Sequence, residues 1–287
     1  MIPTEKGELS MLKRISVILV LVFLATAPAF TADLASLLRS VEAVPVSPSQ
    51  ATGNTATQPM KTTIRGTTYI VTTSLTDPTC DTGFGGYVDL EGFGIFPQSG
   101  IVGDGLAWSA FAAQDPYQHF GGSFVGLNFT DDGLVQFNST DVAVPPQSLP
   151  DVTTPNDLIA ALWADLEIVY DAGTNRGVSL ATSGSDTTII EFDDPVLAGT
   201  ASIVGDFEFI IHSTINNAIG APEIIIAFDN LGSLPATATI GAENADGTIA
   251  APFLNAANPS AVLSDGLMIC FDWDDVVPVE LQSFNIE

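Results

Sequence analysis

Short apolar runs separated by Gly, Asp, Asn and Pro recur along this chain from residue 68 onward. The runs are rich in β-branched and aromatic residues, which favour strands, and no long stretch after residue 62 has the period of an amphipathic helix. Strands are predicted at residues 68–74, 100–112, 123–129, 134–137, 159–169, 178–182, 187–193, 205–212, 223–228, 236–243 and 267–273. The pattern therefore predicts an all-β fold, an antiparallel β-sandwich of the jelly-roll kind.

The clearest local prediction is a β-hairpin over residues 123–137. Its two apolar runs are joined by Thr130-Asp131-Asp132-Gly133, and Asp and Gly tolerate the positive φ angles of a tight turn. Prolines at 145, 146, 150 and 155 then exclude regular structure until the strand at 159–169. The glycine-rich stretch 81–105 is predicted to be a long loop.

The first thirty residues predict export. Lys13 and Arg14 precede the apolar run 15–25, and Ala27-Pro28-Ala29 follows as a small-x-small cleavage site. The run is shorter than the ~20 residues that a membrane-spanning helix needs. We therefore expect a signal peptide over residues 1–29, cleaved after Ala29 or, as a second choice, after residue 32. Acidic residues before Met11 fit a leader poorly, so translation is expected to start at Met11.

The rest of the chain divides into three parts by composition. Residues 30–61 predict a short helix at 33–43 followed by a flexible linker rich in Pro, Ser and Thr. Residues 62–276 have the length and rhythm of a single β-sandwich domain. Residues 277–287 remain as a C-terminal tail. The expected location is extracellular or at the cell surface, with no membrane span in the mature chain.

Charge narrows the range of partners. The formal net charge is −27 at pH 7, yet charged residues make up 14% of the chain and hydrophobic residues 46%, which is typical of a globular acidic protein. Such a surface repels nucleic acids and anionic lipids, so neither is expected as a partner. The charge is explained either by solubility in an open medium or by calcium binding.

Cys80 and Cys270 are the two cysteines of the chain. In an exported protein an even number favours a disulfide, and this one would link the beginning and the end of the folded region. The alternative is two separate buried thiols.

Several of these segments together resemble a known family. Residues 123–137 (SFVGLNFTDDGLVQF), 159–166 (IAALWADL), 187–193 (TTIIEFD) and 238–247 (ATIGAENADG) are similar, in that order, to a bacterial exported β-domain related to the nidogen-like extracellular domain. The resemblance spans roughly residues 105–275. It implies a secreted or surface-attached β-sandwich in an adhesion, matrix or envelope context, and it implies no catalytic residues.

The sequence offers little that predicts catalysis. His119 and His212 are its two histidines, and the common motifs of metalloproteases, serine hydrolases and nucleotide-binding enzymes are missing. A Ser-His-Asp group assembled in space stays open, since such triads are not visible in sequence. Each histidine is better explained as a strand-end or turn residue, so we expect a protein that is not an enzyme.

Carboxylates beside tryptophans form the candidate binding sites. Alternation along a strand at 159–169 would place Trp163, Asp165 and Glu167 on one face, and Asp272 and Asp274 flank Trp273. Candidate calcium ligands are therefore Asp165, Glu167, Asp272 and Asp274, and Trp163 and Trp273 are the candidate ligand face. The alternative is that each ring packs at the rim of the core, with its indole N–H bonded to a carboxylate.

The sequence thus predicts a secreted, non-catalytic module with a structural, adhesive or envelope-associated role, contacting a protein or glycan surface. One alternative is a carbohydrate-binding or carbohydrate-cleaving jelly roll, which would line aromatic rings along a groove. Another is a surface-layer or filament subunit, which would expose an unpaired edge strand or donate residues 33–63 to a neighbour.

Overall fold

The computed structural model describes residues 38–46, 68–142, 144–184, 186–213 and 222–273, without the side chains of 111–115. The described residues from Arg39 onward belong to one compact unit. The predicted cleavage site at Ala29, the linker from residue 47 to 61 and the predicted tail at 277–287 lie outside the described residues. No helix in the described part of the chain is long and apolar enough to cross a membrane.

The fold is all-β, as predicted. Its strands are β1 (Leu38–Ser40), β2 (Val44–Val46), β3 (Tyr69–Thr73), β4 (Ala107–His119), β5 (Gly122–Thr130), β6 (Leu134–Gln136), β7 (Leu158–Trp163), β8 (Leu166–Glu167), β9 (Gly177–Ser183), β10 (Thr187–Asp193), β11 (Val196–Leu197), β12 (Asp206–His212), β13 (Ile224–Asp229), β14 (Ala238–Glu243), β15 (Ala250–Ala257) and β16 (Met268–Trp273). Two 3₁₀ turns, Leu90–Phe93 and Pro259–Ala261, interrupt the loops.

The strands form two seven-stranded sheets that pack face to face. Sheet A has the order β1-β9-β10-β12-β13-β16-β3, and sheet B has the order β15-β14-β7-β6-β5-β4-β2. Period-two alternation sends Phe192, Phe207 and Phe209 of sheet A inward, where they join Phe129 of sheet B in the core. A β-sandwich follows, because each sheet buries its apolar face against the other.

The predicted hairpin at 123–137 is confirmed. β5 and β6 pair with Asn128 opposite Gln136 and Phe129 opposite Val135, and Gly133 has the positive φ of 70° that the turn needs. A side chain at Gly133 would also lie 2.9 Å from the carbonyl oxygen of Leu162. Glycine is thus required both for the turn and for close contact with β7.

Two predicted elements differ from the structure, one in its type of secondary structure and one in its continuity. The helix at 33–43 is contradicted over its described residues, where β1 pairs at the edge of sheet A. Its apolar spacing fitted a helix, but such a short segment takes the structure that an open sheet edge offers. The single strand at 159–169 divides into β7 in sheet B and β8, which pairs with β11.

Other differences follow from bulges and composition. The strand predicted at 100–112 begins at Ala107 and runs to His119, and a register shift between Ala112 and Tyr117 accommodates Pro116. The sequence analysis missed β15, whose alanines and Pro252 have low strand propensity; it lies at the edge of sheet B, where a proline is tolerated. The segments β1, β2 and β11, each of two or three residues, were also missed.

Candidate cation site on the outer face of sheet A

Residues 74–106 connect β3 to β4, and we call them the covering segment because their middle part lies over the outer face of sheet A. The predicted disulfide is confirmed: Cys80 of this segment is bonded to Cys270 of β16, with the two Cα atoms 5.5 Å apart. Further along the segment, Val88 and Leu90 are almost fully buried. The outer face, which in many sandwiches contacts water, is here a second buried layer.

Two glutamates lie beneath this layer. Glu191 of β10 and Glu208 of β12 are directly opposite each other, and their sequence neighbours point into the core. The covering segment leaves Glu191 3% exposed and Glu208 0% exposed. The backbone N–H of Val88 donates to Glu208 Oε1 at 2.8 Å, and that of Leu90 donates to Glu191 Oε1 at 3.2 Å. The carboxylates therefore hold the covering segment in place.

This burial changes their acid strength. Loss of water and, to a smaller extent, the nearby charge of Asp193 together raise the pKa of Glu191 to about 8. The pKa of Glu208 is raised well above its ordinary value, again by burial and then by the charge of Glu191. Both groups favour the neutral form unless a positive charge is close.

Three aspartates continue the same acidic surface; we call Asp193, Asp194 and Asp206 the aspartate triad. One side-chain oxygen from each lies within 4.8 Å of the others, and this is the one group of three or more potential metal ligands found among the described residues. The backbone N–H of Asp194 donates to Asp206 Oδ1 at 2.9 Å, which fixes the turn after β10 against β12. Arg176 donates its Nε to the carbonyl oxygen of Asp194 at 2.7 Å.

Electrostatic repulsion is strong within the triad. Burial, followed by the charges of Asp206 and Asp194, raises the pKa of Asp193 to about 8. Burial likewise raises the pKa of Asp206 to about 6. Oxygen ligands at this spacing suit a hard cation, and the set contains neither the His nor the Cys that zinc prefers.

The candidate ligands from the sequence lie elsewhere. Asp165 is exposed in the bend between β7 and β8, and Glu167 is half-buried in β8. Asp272 is half-buried on β16 opposite Ile70, and Asp274 lies outside the described residues. The aspartate triad was not singled out as a site, because a pair at 193–194 gains its third member from a different strand.

The tryptophans do not form a ligand face. The rings of Trp163 and Trp273 are buried, with 0% and 5% exposure, and the Trp163 N–H donates to the carbonyl oxygen of Val144 at 2.9 Å. The expected shared face of Trp163, Asp165 and Glu167 is wrong, since the strand breaks after Trp163. Both rings are buried as the core-rim alternative expects, but neither indole N–H bonds to a carboxylate: Trp163 donates to a backbone carbonyl oxygen, and Nε1 of Trp273 is buried without a hydrogen-bond partner.

His119 is buried and His212 is half-buried, and a ring nitrogen of each contacts a hydroxyl group. His119 is 1% exposed, and its ring nitrogens contact the Tyr69 hydroxyl at 3.2 Å and the Glu243 carbonyl oxygen at 2.9 Å. Burial lowers the pKa of His119 to about 4, so the ring is neutral at physiological pH. His212 contacts the Thr187 hydroxyl at 3.0 Å, and burial lowers its pKa as well.

The Gly-x-Glu-Asn-x-x-Gly segment, residues 241–247, is structural. Glu243 accepts a hydrogen bond from the backbone N–H of Asp151, and Asn244 Oδ1 accepts from the N–H groups of Thr248 and Ile249, both at 3.0 Å. Gly247 has a φ of 65°, and a Cβ there would lie 2.1 Å from the carbonyl oxygen of Asp151. The motif fastens the proline-rich crossing to β14.

Comparisons with models of known protein families, with curated proteins and with solved structures gave no match. Fold and site together define a class: a two-sheet sandwich whose carboxylate-rich outer face is sealed by a disulfide-linked segment.

Proposed function

We propose that this protein is an exported, non-catalytic β-sandwich module with a structural or adhesive role at the cell surface or in the extracellular space. The observation that carries the proposal is the Cys80–Cys270 disulfide. Disulfides of this kind persist in oxidising compartments and are rare in the cytosol. The leader-like residues 11–29 agree with that environment.

The location of the aromatic rings supports a structural role over sugar binding. Sugar-binding surfaces use exposed rings in a groove, whereas Trp108, Trp163 and Trp273 are all buried. The resemblance to nidogen-like extracellular domains supports contact with proteins or glycans of a matrix or envelope.

Export is tested by expressing the full chain in a secreting bacterial host and fractionating the culture. We expect the protein in the medium or on the surface, beginning near residue 30 and free of reactive thiols after denaturation. A chain starting at residue 30 is the matched control and should stay inside. A full-length cytosolic protein with two reactive thiols would contradict the proposal.

The role itself is tested with beads coated with the purified protein. We expect them to adhere to immobilised matrix proteins or cell envelopes, and beads coated with heat-denatured protein not to adhere. Release of sugars from polysaccharides, together with glycan-array binding and no adhesion, would favour the carbohydrate-active alternative.

A further inference from the structure

The middle of the covering segment is a loop with two fixed ends; we call residues 81–97 the flap. Just before the flap, Cys80 is bonded to Cys270 of β16. Just after it, the backbone N–H of Gln98 donates to the carbonyl oxygen of Val178 in β9 at 3.0 Å. The flap can therefore move as a unit while both of its ends stay attached to sheet A.

Glycines flank the part of the flap that contacts the sheet. Gly83, Gly85 and Gly86 precede residues 87–93, and Gly94 follows them, each with a positive φ between 76° and 129°. A Cβ at any of these four glycines would meet nothing within 4 Å. Glycine is thus required there by backbone conformation and not by close packing, which suits a hinge on each side of residues 87–93.

Between these hinges, two buried glutamates hold the flap. Glu191 Oε1 accepts from the Tyr87 hydroxyl at 3.1 Å and from the Leu90 N–H at 3.2 Å. Glu208 Oε1 accepts from the Val88 N–H at 2.8 Å. The Oε2 atom of each glutamate is buried without a hydrogen-bond partner. Because an unpaired buried charge costs far more than an unpaired neutral group, the closed flap favours protonated glutamates.

The surrounding negative charges act in the same direction. Glu208 lies directly opposite Glu191, and after burial, which is the largest cause, the charge of Glu191 raises the pKa of Glu208. Burial and then the charges of Asp193 and Asp89 raise the pKa of Glu191. Arg176, the positive group nearby, donates its Nε to a backbone carbonyl oxygen. Other ionisable groups around the pair are Tyr87, Glu91, Asp194 and Asp206.

We propose that residues 81–97 are a pH-gated flap, which is closed while Glu191 and Glu208 carry protons and opens as these protons are lost. A glutamate whose pKa is raised on closing stabilises the closed form fully below its ordinary pKa of 4.5, and this stabilisation is lost as the pH rises through the raised value, about 8 for Glu191. Opening uncovers the outer face of sheet A, where Ile189 and Ile210 lie two residues from the glutamates and are fully buried. The proposal does not depend on the proposed function.

The first test follows hydrogen exchange of the full chain, with its disulfide intact, by NMR between pH 5.5 and 7.5. Dividing each observed rate by the intrinsic rate of that amide gives the fraction of molecules in which it is open. For Val88 and Leu90 we expect this open fraction to rise about tenfold for each pH unit if one proton is released on opening, and about a hundredfold if both are. Phe209 of β12 should have an open fraction roughly tenfold or more below theirs, because its exchange requires unfolding of the sandwich. An open fraction of Val88 and Leu90 that is independent of pH, or equal to that of Phe209, would overturn the proposal.

The second test removes one titrating group and keeps its hydrogen bond. Glu208→Gln retains the oxygen that accepts from the Val88 N–H, but it gains no negative charge as the pH rises. We expect its flap to stay closed at pH 7.5, with an open fraction roughly tenfold or more below that of the parent and a smaller change with pH. Glu42→Gln makes the same change at an exposed glutamate and should match the parent.

Two results with Glu208→Gln would contradict the proposal. An unchanged dependence of the open fraction on pH would show that Glu208 is not part of the gate. A flap that is open at every pH would show that the glutamate has a purely structural role. If this variant does not fold, Glu191→Gln takes its place, with the same expected result and the same contradicting results.

Discussion

At the scale of single residues, buried carboxylates accept hydrogen bonds from backbone N–H groups of loops that have no backbone carbonyl partner. Asp131 and Asp132 fit the hairpin turn in sequence, but both are buried in the structure. Asp131 accepts hydrogen bonds from the N–H groups of Gly105 and Leu106, and Asp132 accepts from Leu166. Glu191, Glu208 and Glu243 act in the same way on other loops. Much of the acidic character of this chain therefore organises its irregular segments from inside.

Asp157 allows a clean test of a buried acid. Burial raises its pKa to about 7 from an ordinary value near 3.8, although a hydrogen bond from Asn138 opposes the change. The folded state thus holds a proton that the unfolded state releases, and stability is lost as the pH rises from about 4 to 7. Asp157→Asn should remove this loss, because asparagine keeps the acceptor and tolerates the φ of 57°.

We expect Asp157→Asn to be more stable than the parent by about 2–4 kcal/mol above pH 7, with the difference vanishing toward pH 4. Urea unfolding of both proteins between pH 4 and 8 measures it, and the other titrating groups cancel in the comparison. Asp171→Asn, at an exposed turn, is the control and should show a far smaller change with pH. A pH-independent difference at residue 157 would contradict the interpretation.

At the scale of elements, the covering segment is the least regular part of the fold and depends on cross-links. Its regular secondary structure consists of one 3₁₀ turn, Leu90–Phe93, whose N-cap residue is Asp89. The disulfide holds one part of the segment, and the buried glutamates hold another. The sequence predicted a long glycine-rich loop here, but not that the loop would bury a sheet face.

Cys80→Ala with Cys270→Ala should destabilise the protein by about 3–5 kcal/mol, because the bond closes a loop with a sequence separation of 190 residues. Urea unfolding measures this change. Reductant should lower the stability of the parent to the same level and leave the double variant unaffected. Equal stability of parent and variant would show that the covering segment does not depend on the disulfide.

At the scale of the whole molecule, residues 38–46 contribute to both sheets. β1 is an edge strand of sheet A beside β9, and β2 is an edge strand of sheet B beside β4. The sequence analysis assigned this region to a helix and linker, and placed the start of order near residue 62. In the structure the sandwich uses these residues to cover two edges.

A chain that starts at residue 68 should therefore self-associate. Removal of β1 and β2 exposes the backbone of β9 and β4, which can pair with another copy. Light scattering after size-exclusion chromatography should show oligomers that grow with concentration, whereas a chain starting at residue 30 should stay monomeric. A monomeric truncated chain would show that these strands do not protect the edges. Oligomers of the longer chain would instead support the filament alternative.

The sequence alone determined the strands with strong local signals. The strand at 187–193 matches β10 in both bounds, and the hairpin around Gly133 follows from turn chemistry that no distant contact needs to supply. The disulfide was predicted from two cysteines in a chain whose first residues predict export. These features depend on short-range periodicity, on the backbone preferences of turn residues or on the number of cysteines, and each of these can be determined from one sequence.

Tertiary structure decided the rest. Asp193 and Asp206 come together because β10 and β12 pair across a sheet, and Glu191 and Glu208 are buried because a distant segment folds over them. Neither the pairing partner of a strand nor the cover over its outer face leaves a local pattern. The same acidic residues that indicated a solvated surface in sequence are thus brought, through contacts between distant segments, into a buried layer of carboxyl groups.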